Sequence, residues 1–232
     1  MFPDGMKSIY ARGKKMSNRV TYILAGGQLS LPFLKEQLNR HSDRTIIAAD
    51  RGLEACVSLG IEPDFVIGDF DSLDETVREE FLSQEKNVTK LNPIKDDTDT
   101  EAALSLAFEK TEGDIIILGG TGTRLDHVLG NIGILGQGFA HGRSVELLDE
   151  HNRIRLADGP VTIKKGEQYG KYVSLLPLTT EVKGLTLEGF YYPLHKFTLT
   201  SYTSIGISNE IVEEEARISF DEGVLVMIES KD

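Results

Sequence analysis

The sequence predicts a mostly parallel, doubly wound α/β sheet with helices on both faces, followed by a C-terminal all-β sandwich. Three observations carry that expectation. Up to about residue 150, short apolar runs alternate with helix-like segments, the pattern of strands joined by helical crossovers. Glycine or aspartate stands immediately after several of those runs. Beyond residue 150 the helical periodicity stops, and short β-leaning stretches separated by turn residues fill roughly 80 residues.

Taken in order, VTYILAGG (20–27) is a strand that runs into glycines, and LPFLKEQLNR (31–40) is helical. TIIAA (45–49) is a second strand, and GLEACVSLG (52–60) a helix stopped by glycine. FVIG (65–68) is a third strand, with a helix after it in DETVREEFLSQ (74–84). DTDTEAALSLAFEK (97–110) is a helix with acids in its first turn, and DIIILGG (114–120) the next buried strand. RLDHVLGNIGILGQGFAHG (124–142) reads as a glycine-broken helix, and SVELLDE (144–150) as the strand that closes the sheet. Then RIRLADG, GPVTIKKG, YVSLLPL, LTLEGF, FTLTSYTSIGISN and ARISFDEGVLVMIES supply the sandwich. Domains are therefore expected over residues 17–150 and 151–232. Residues 1–16 are expected to be a leader, disordered or added for expression, since they lack the apolar centre of a signal peptide; Met16 is a candidate start.

The 232 residues carry 37 acidic and 25 basic side chains, a formal charge of −12. Such a balance argues against a nucleic-acid partner, because those surfaces neutralise phosphates with clustered Lys and Arg. A small anionic ligand then needs a metal or a local basic cluster to receive it. Cys56 is the only cysteine, so no intrachain disulfide forms and a reducing compartment, the cytoplasm, is expected. No membrane partner is expected either, since no run approaches the ~20 apolar residues of a span.

The acids and glycines fall beyond the carboxyl ends of the proposed parallel strands, where open α/β sheets keep their ligand crevice. Gly26 and Gly27 follow the first strand, Asp50 and Arg51 the second, Asp69 and Asp71 the third, and Gly119 to Gly122 the fourth. Asp69 and Asp71 are two apart, so an extended backbone points both the same way. Their repulsion at about 4–5 Å would cost several kcal/mol, which a divalent cation removes. Magnesium takes a few carboxylates plus waters and ligand phosphates, and suits a sparse acidic edge. Two readings stand at this point. The pair either does metal or phosphate work, or consists of ordinary loop residues, one capping the helix near Asp74. Asp50 on another strand end tips the balance modestly towards the first. In NPIKDDTDTEAAL, Thr98 and Glu101 make a T-x-x-E capping box, which accounts for Asp97 and Glu101 with no function at all. Asp96 and Asp99 stay candidates because their helix start should face the same crevice, where Lys95 can supply positive charge.

LGGTGTRLDH is a glycine-rich strand-to-helix turn, which brings backbone N–H groups and a helix N-terminus to an anion. It is no Walker A loop, and Leu125 stands where G-x-G-x-x-G would have its third glycine. On spacing alone it is an anion site or a tight turn, and Arg124 and His127 are phosphate contacts or surface residues. The five histidines are scattered without metal-ligand spacing.

Together and in order, AADRG (48–52), PDFVIGDFDS (63–72), KDDTDTEAAL (95–104), GGTGTRLDH (119–127) and ISNE (207–210) resemble the thiamine pyrophosphokinase family, from roughly residue 20 to the end. The resemblance implies an α/β catalytic, nucleotide-binding domain over 17–150 and a β-sandwich thiamine-binding domain over 151–232. It also implies a homodimer with active sites between subunits. The implied reaction moves the whole diphosphate of ATP to the hydroxyethyl oxygen of thiamine, with Mg2+, and releases AMP. By position, Asp50, Asp69, Asp71 and Asp99 match the family's acidic catalytic group, and Asp69, Asp71, Asp96 and Asp99 its metal ligands. Arg51, Lys95, Gly120, Thr121, Arg124, Asp126 and His127 are expected at the nucleotide. Tyr192 in GFYYPL (189–194) matches a segment whose aromatic packs on thiamine; eukaryotic members usually carry tryptophan there, and this chain has none. Ser208 and Asn209 match the S-N expected to help form the thiamine pocket.

Two other readings stay open. One keeps the diphosphate transfer and changes the acceptor, for instance to a hydroxymethyl pterin; the C-terminal sandwich with Tyr192 and S-N favours thiamine. The other is a sensing module that binds nucleotide or thiamine without turnover. A sensor has no need for every acidic position kept here.

Overall fold

The computed structural model describes residues 19–68, 88–90 and 97–232. The leader expected over 1–16, the helix expected over 74–84, and Asp69, Asp71, Lys95 and Asp96 lie outside the described residues. The chain divides into two compact units. One holds the described residues up to Ile134 with Leu147–Glu150; the other holds Leu135–Glu146 and His151–Asp232. Among the described residues, no helix is long and apolar enough to cross a membrane.

In the first unit, β1 (Val20–Leu24), β2 (Arg44–Ala49), β3 (Phe65–Gly68), β4 (Val88–Lys90) and β5 (Asp114–Leu118) pair in parallel, in the order β5-β1-β2-β3-β4. All of β1 and the last four residues of β5 are buried, so side chains on both faces of these strands are covered. A strand covered on both faces needs apolar residues at every position, and hence reads as an unbroken run.

Three helices of this unit follow from local chemistry. α1 (Leu31–Arg40) has Pro32 in its first turn and buries Phe33, Leu34, Gln37 and Leu38, one face of the helix. α2 (Gly52–Leu59) ends where Gly60 takes a left-handed φ of 63° and turns its N–H back on the Cys56 and Val57 carbonyls. Cys56 itself is buried, and that burial pushes its thiol up to about 12, so it is inert at neutral pH. α3 (Asp99–Lys110) is capped by Thr98, whose Oγ1 accepts from the Glu101 N–H at 3.2 Å, as the T-x-x-E spacing foretells. α4 (Leu125–Ile134) follows the glycine turn. The helical run breaks there, and α5 (Gln137–His141) belongs to the second unit.

At the start of α2 two backbones touch: a Cβ on Gly52 would stand 1.9 Å from the Leu24 carbonyl oxygen. Gly52→Ala is expected to cost about 3 kcal/mol, because backbone cannot step aside as a side chain can. The readout is a lower urea midpoint at unchanged slope. A wild-type midpoint would mean that helix and strand separate freely.

The second unit is antiparallel. β7 (Asn152–Ala157), β14 (Leu225–Ser230), β9 (Tyr172–Pro177) and β12 (Asn209–Glu210) pair in that order. β8 (Val161–Lys164), β13 (Glu215–Ser219), β10 (Glu181–Glu188) and β11 (Leu194–Thr200) make a separate four-stranded sheet. β6 (Val145–Leu148) is split between the units. Both sheets send side chains into one core, among them Val173, Leu225 and Met227 from the first and Ile163, Leu185 and Ile218 from the second. Two residues beyond Met227, Glu229 continues the same face of its strand. Its carboxylate accepts from Arg153 Nη2 (2.6 Å), Arg155 Nη2 (2.7 Å) and the Tyr169 N–H (2.8 Å), with no side-chain surface exposed. Burial by itself would raise this carboxyl; the Arg155 and Arg153 guanidiniums, with their hydrogen bonds, outweigh it and hold it below its ordinary range.

Candidate active site

A cavity of about 640 Å³ opens in the first unit at the carboxyl ends of β1, β2 and β5. Topology puts it there. From β1 the chain lays β2, β3 and β4 to one side, and β5 then returns on the other side of β1. Loops leaving β1 and β5 diverge at such a reversal and leave a crevice. Register brings the strand ends to one level, with Leu24 opposite both Ala48 and Leu118.

Of the sequence-predicted residues, Asp50, Arg51, Asp99, Gly120, Thr121, Arg124 and His127 line this cavity, far apart in the chain and gathered by the fold. Asp50 has φ 49°, a left-handed conformation uncommon outside glycine. It is pinned at both ends: its N–H donates to the Ile67 carbonyl (3.0 Å) and its carbonyl accepts from the Leu53 N–H (3.1 Å). Strained backbone that neighbours hold in place is a common mark of functional positions. Arg51 Nε lies 3.6 Å from Glu54 Oε1, a cavity residue the sequence reading did not single out. Asp99 arrives on the first turn of α3, set by the Thr98 cap.

The glycine turn is braced from three sides. The Gly27 N–H donates to the Gly119 carbonyl at 3.0 Å, and a Cβ on Gly27 would sit 2.3 Å from that oxygen, so only glycine permits the approach. Thr121 Oγ1 donates to Asp149 Oδ2 at 2.8 Å, while Ser30 Oγ donates to Glu150 Oε1 at 3.0 Å. Two adjacent acids after β6 therefore hold the loops that follow β5 and β1. Asn131 Nδ2 donates to the Gly120 carbonyl at 2.7 Å. Asp149 and Asn131 were missed from sequence. For Asn131 a signal existed: Arg124, His127, Val128 and Asn131 all line the cavity, at the i, i+3, i+4, i+7 spacing of one helix face.

Asp126 is not among the residues lining the cavity. Its carboxylate takes Arg124 Nη2 at 2.6 Å and Nε at 3.2 Å, and also the His127 N–H at 2.9 Å. The Arg124 hydrogen bonds, then that of His127, bring its carboxyl down to about 2. Arg124 thus reaches the cavity wall in a fixed, forked geometry. Among the described residues no three His, Cys, Asp or Glu side chains gather into a metal-sized group.

The other predicted residues among those described, Tyr192, Ser208 and Asn209, lie together in the second unit. The Phe190–Ile211 bridge, with the Tyr191 N–H donating to the Glu210 carbonyl at 2.8 Å, sets GFYYPL against ISNE. Asn209 is 4% exposed: its Oδ1 accepts from the Tyr192 N–H (2.9 Å) and its Nδ2 donates to the Tyr192 carbonyl (2.8 Å). That carboxamide imitates a strand partner and clamps the Tyr192 backbone. Ser208 has φ 55° and donates its N–H to Ser174 Oγ at 2.9 Å. The tyrosine rings stay outside, Tyr191 62% and Tyr192 63% exposed, edge to face at 4.8 Å. Exposed aromatics on a clamped loop form a ready surface for a flat cation.

Comparison with known proteins finds matches over both halves of the chain. Residues 36–147 match the family model described as thiamin pyrophosphokinase, catalytic domain, and residues 160–225 the model described as thiamin pyrophosphokinase, vitamin B1 binding domain. The chain is 36% identical over 212 residues to a thiamine pyrophosphokinase of Bacillus subtilis, covering 90% of this chain and 98% of that protein. The crystal structure of thiamine pyrophosphokinase from Bacillus subtilis superposes with a TM-score of 0.81 at 33% identity, over 92% of this chain and 99% of that one. The yeast thiamin pyrophosphokinase structure, at 16% identity and TM-score 0.73 over 96% of this chain and 89% of that one, shares the fold. The chain belongs to the thiamin pyrophosphokinase family of enzymes.

Proposed function

We propose that this chain transfers the diphosphate of ATP to the hydroxyl of thiamine, giving thiamine diphosphate and AMP, with magnesium. The observation that carries the reading is the cavity at the β1/β5 reversal, where Asp50, Asp99 and the braced glycine turn meet. In this reading the thiamine hydroxyl oxygen forms a bond to the β-phosphorus and gives up its proton to solvent. The bridge from that phosphorus to the α-phosphate breaks, and AMP leaves with the bridging oxygen.

Asp50 and Asp99 are hard oxygen donors of the kind magnesium takes, and would hold it together with Asp69, Asp71 and Asp96. Bound there, the ion would offset phosphate charge as it shifts towards AMP. An alcohol needs little activation for loose phosphoryl transfer, so the chain's main task is positioning. Arg124 and His127 approach the phosphates from α4, with Arg51 and Lys95 as further cations. Tyr192, on the backbone clamped by Asn209 beside Ser208, packs on the thiazolium. The domain reading goes with it: a doubly wound catalytic domain over 17–150 and a β-sandwich thiamine domain over 151–232. A homodimer is part of the proposal, supported by Leu125 and Leu129, exposed one turn apart on α4. So is a cytoplasmic location, from the single reduced cysteine.

The test is the nucleotide product. Purified protein given thiamine, ATP and magnesium should release AMP in step with thiamine diphosphate; ADP with thiamine monophosphate would overturn the reading. Tyr192→Ala should raise the KM for thiamine about five-fold, the equivalent of ~1 kcal/mol of cation–π contact, with the KM for ATP unchanged. Equal effects on both would remove Tyr192 from the thiamine site.

A further inference from the structure

A peptide unit is planar and trans, so its carbonyl and its N–H point in opposite directions. The carbonyl of the Gly120–Thr121 peptide is taken by Asn131 Nδ2 at 2.7 Å. The N–H of the same peptide, that of Thr121, meets no backbone acceptor among the described residues. Thr121 lies in the cavity wall, and its hydroxyl is already committed to Asp149 at 2.8 Å, which limits how far the residue can turn. Asn131 is 6% exposed and cannot be read the other way round, because only its amide nitrogen can donate to a carbonyl oxygen. A backbone donor that meets no backbone acceptor among the described residues, in the wall of an anion cavity, is placed for a ligand to satisfy it.

We propose that Asn131 is a positioning residue for the phosphates of ATP: by holding the Gly120 carbonyl, it aims the Thr121 N–H into the cavity as a phosphate donor. The inference rests on the diphosphate-transfer reading. Aspartate at 131 would repel the Gly120 carbonyl and leucine would release it. The peptide is then able to rotate, and a carbonyl oxygen meets the phosphates where an N–H had stood. The loss should therefore fall on the phosphates and spare the nucleoside, which a merely structural role for Asn131 would not do.

Calorimetric titration of the full chain with ATP and with adenosine, at fixed magnesium, separates the two. Asn131→Asp and Asn131→Leu should each weaken ATP about ten-fold or more, as expected for one lost bond to a charged group, and adenosine less than about two-fold. Equal weakening of both ligands, or none, would overturn the role. Should the variants fail to fold, the wild type still decides. The Thr121 amide resonance should move on adding ATP and stay in place with adenosine; no response to ATP would overturn the proposal. A wild type that binds no ATP at all is a separate outcome, and rejects the diphosphate-transfer reading itself.

Discussion

Asp50→Asn is expected to lower turnover about 100-fold or more while leaving thermal stability close to wild type. The choice of asparagine follows from the backbone. Asp50 sits at φ 49°, and asparagine is one of the few residues that tolerate a left-handed conformation. The hydrogen bonds to Ile67 and from Leu53 use main-chain atoms and survive the change. What disappears is one negative charge at the wall of a cavity proposed to receive magnesium and a triphosphate. Asp50→Ala should lose the same activity and, in addition, about 1–2 kcal/mol of stability for an alanine forced into that conformation. Rates of AMP release with a thermal melt check both. Near-normal turnover in the asparagine variant would take the Asp50 carboxylate out of the reaction.

Glu229→Gln should be the most destabilising single change in the second unit that leaves side-chain volume intact. It removes a carboxylate that Arg153 and Arg155 share, and with it the ion pair each of these largely buried guanidiniums makes to it. Breaking a buried pair from one side costs about 3 kcal/mol, roughly 6–12 °C in melting temperature for a chain of this size. The pH dependence has a definite sign. Folding lowers the Glu229 carboxyl below its ordinary 4.5, so the pair's contribution is complete above that value and is lost as pH falls through the folded-state one. Wild type should therefore lose stability on acidification below about 4.5 more steeply than Glu229→Gln. Parallel curves for the two proteins would mean that this carboxylate is not ionised in the folded chain.

Legibility from sequence tracked locality. β1, β3 and β5 were each read from their first residue, with β1 carried three residues and β5 two residues too far into the glycines, because buried parallel strands are apolar throughout and the turn begins before the glycine pair. α1 was read to the residue from its periodicity; α3 was read two residues early, from Asp97, although its Thr98 cap was identified. β4 escaped, since three residues, VTK, carry no period. β10 was read from Leu185 and begins at Glu181; its pairing with β11 shifts register between Val182 and Leu185, which breaks the alternation that reading depends on. The strand-end residues of the cavity were legible as types in a pattern. Asn131 shared the helical spacing of Arg124 and His127 but was passed over, and Asp149 carried no such signal, because each braces a loop 11 or 28 residues away through a hydrogen bond that only the fold reveals. Glu229 likewise looks like a surface acid near the end of an apolar run, until pairing sets Arg153 opposite it, 76 residues earlier.

The most direct test of the ATP assignment is a crystal structure with magnesium and α,β-methylene-ATP, whose carbon bridge replaces the bond that diphosphate transfer must break. The triphosphate should lie in the cavity at the ends of β1, β2 and β5, against the 119–123 turn, with Asp50 and Asp99 on the magnesium side. An analogue seated anywhere else, or one whose phosphates point away from that turn, would contradict the account.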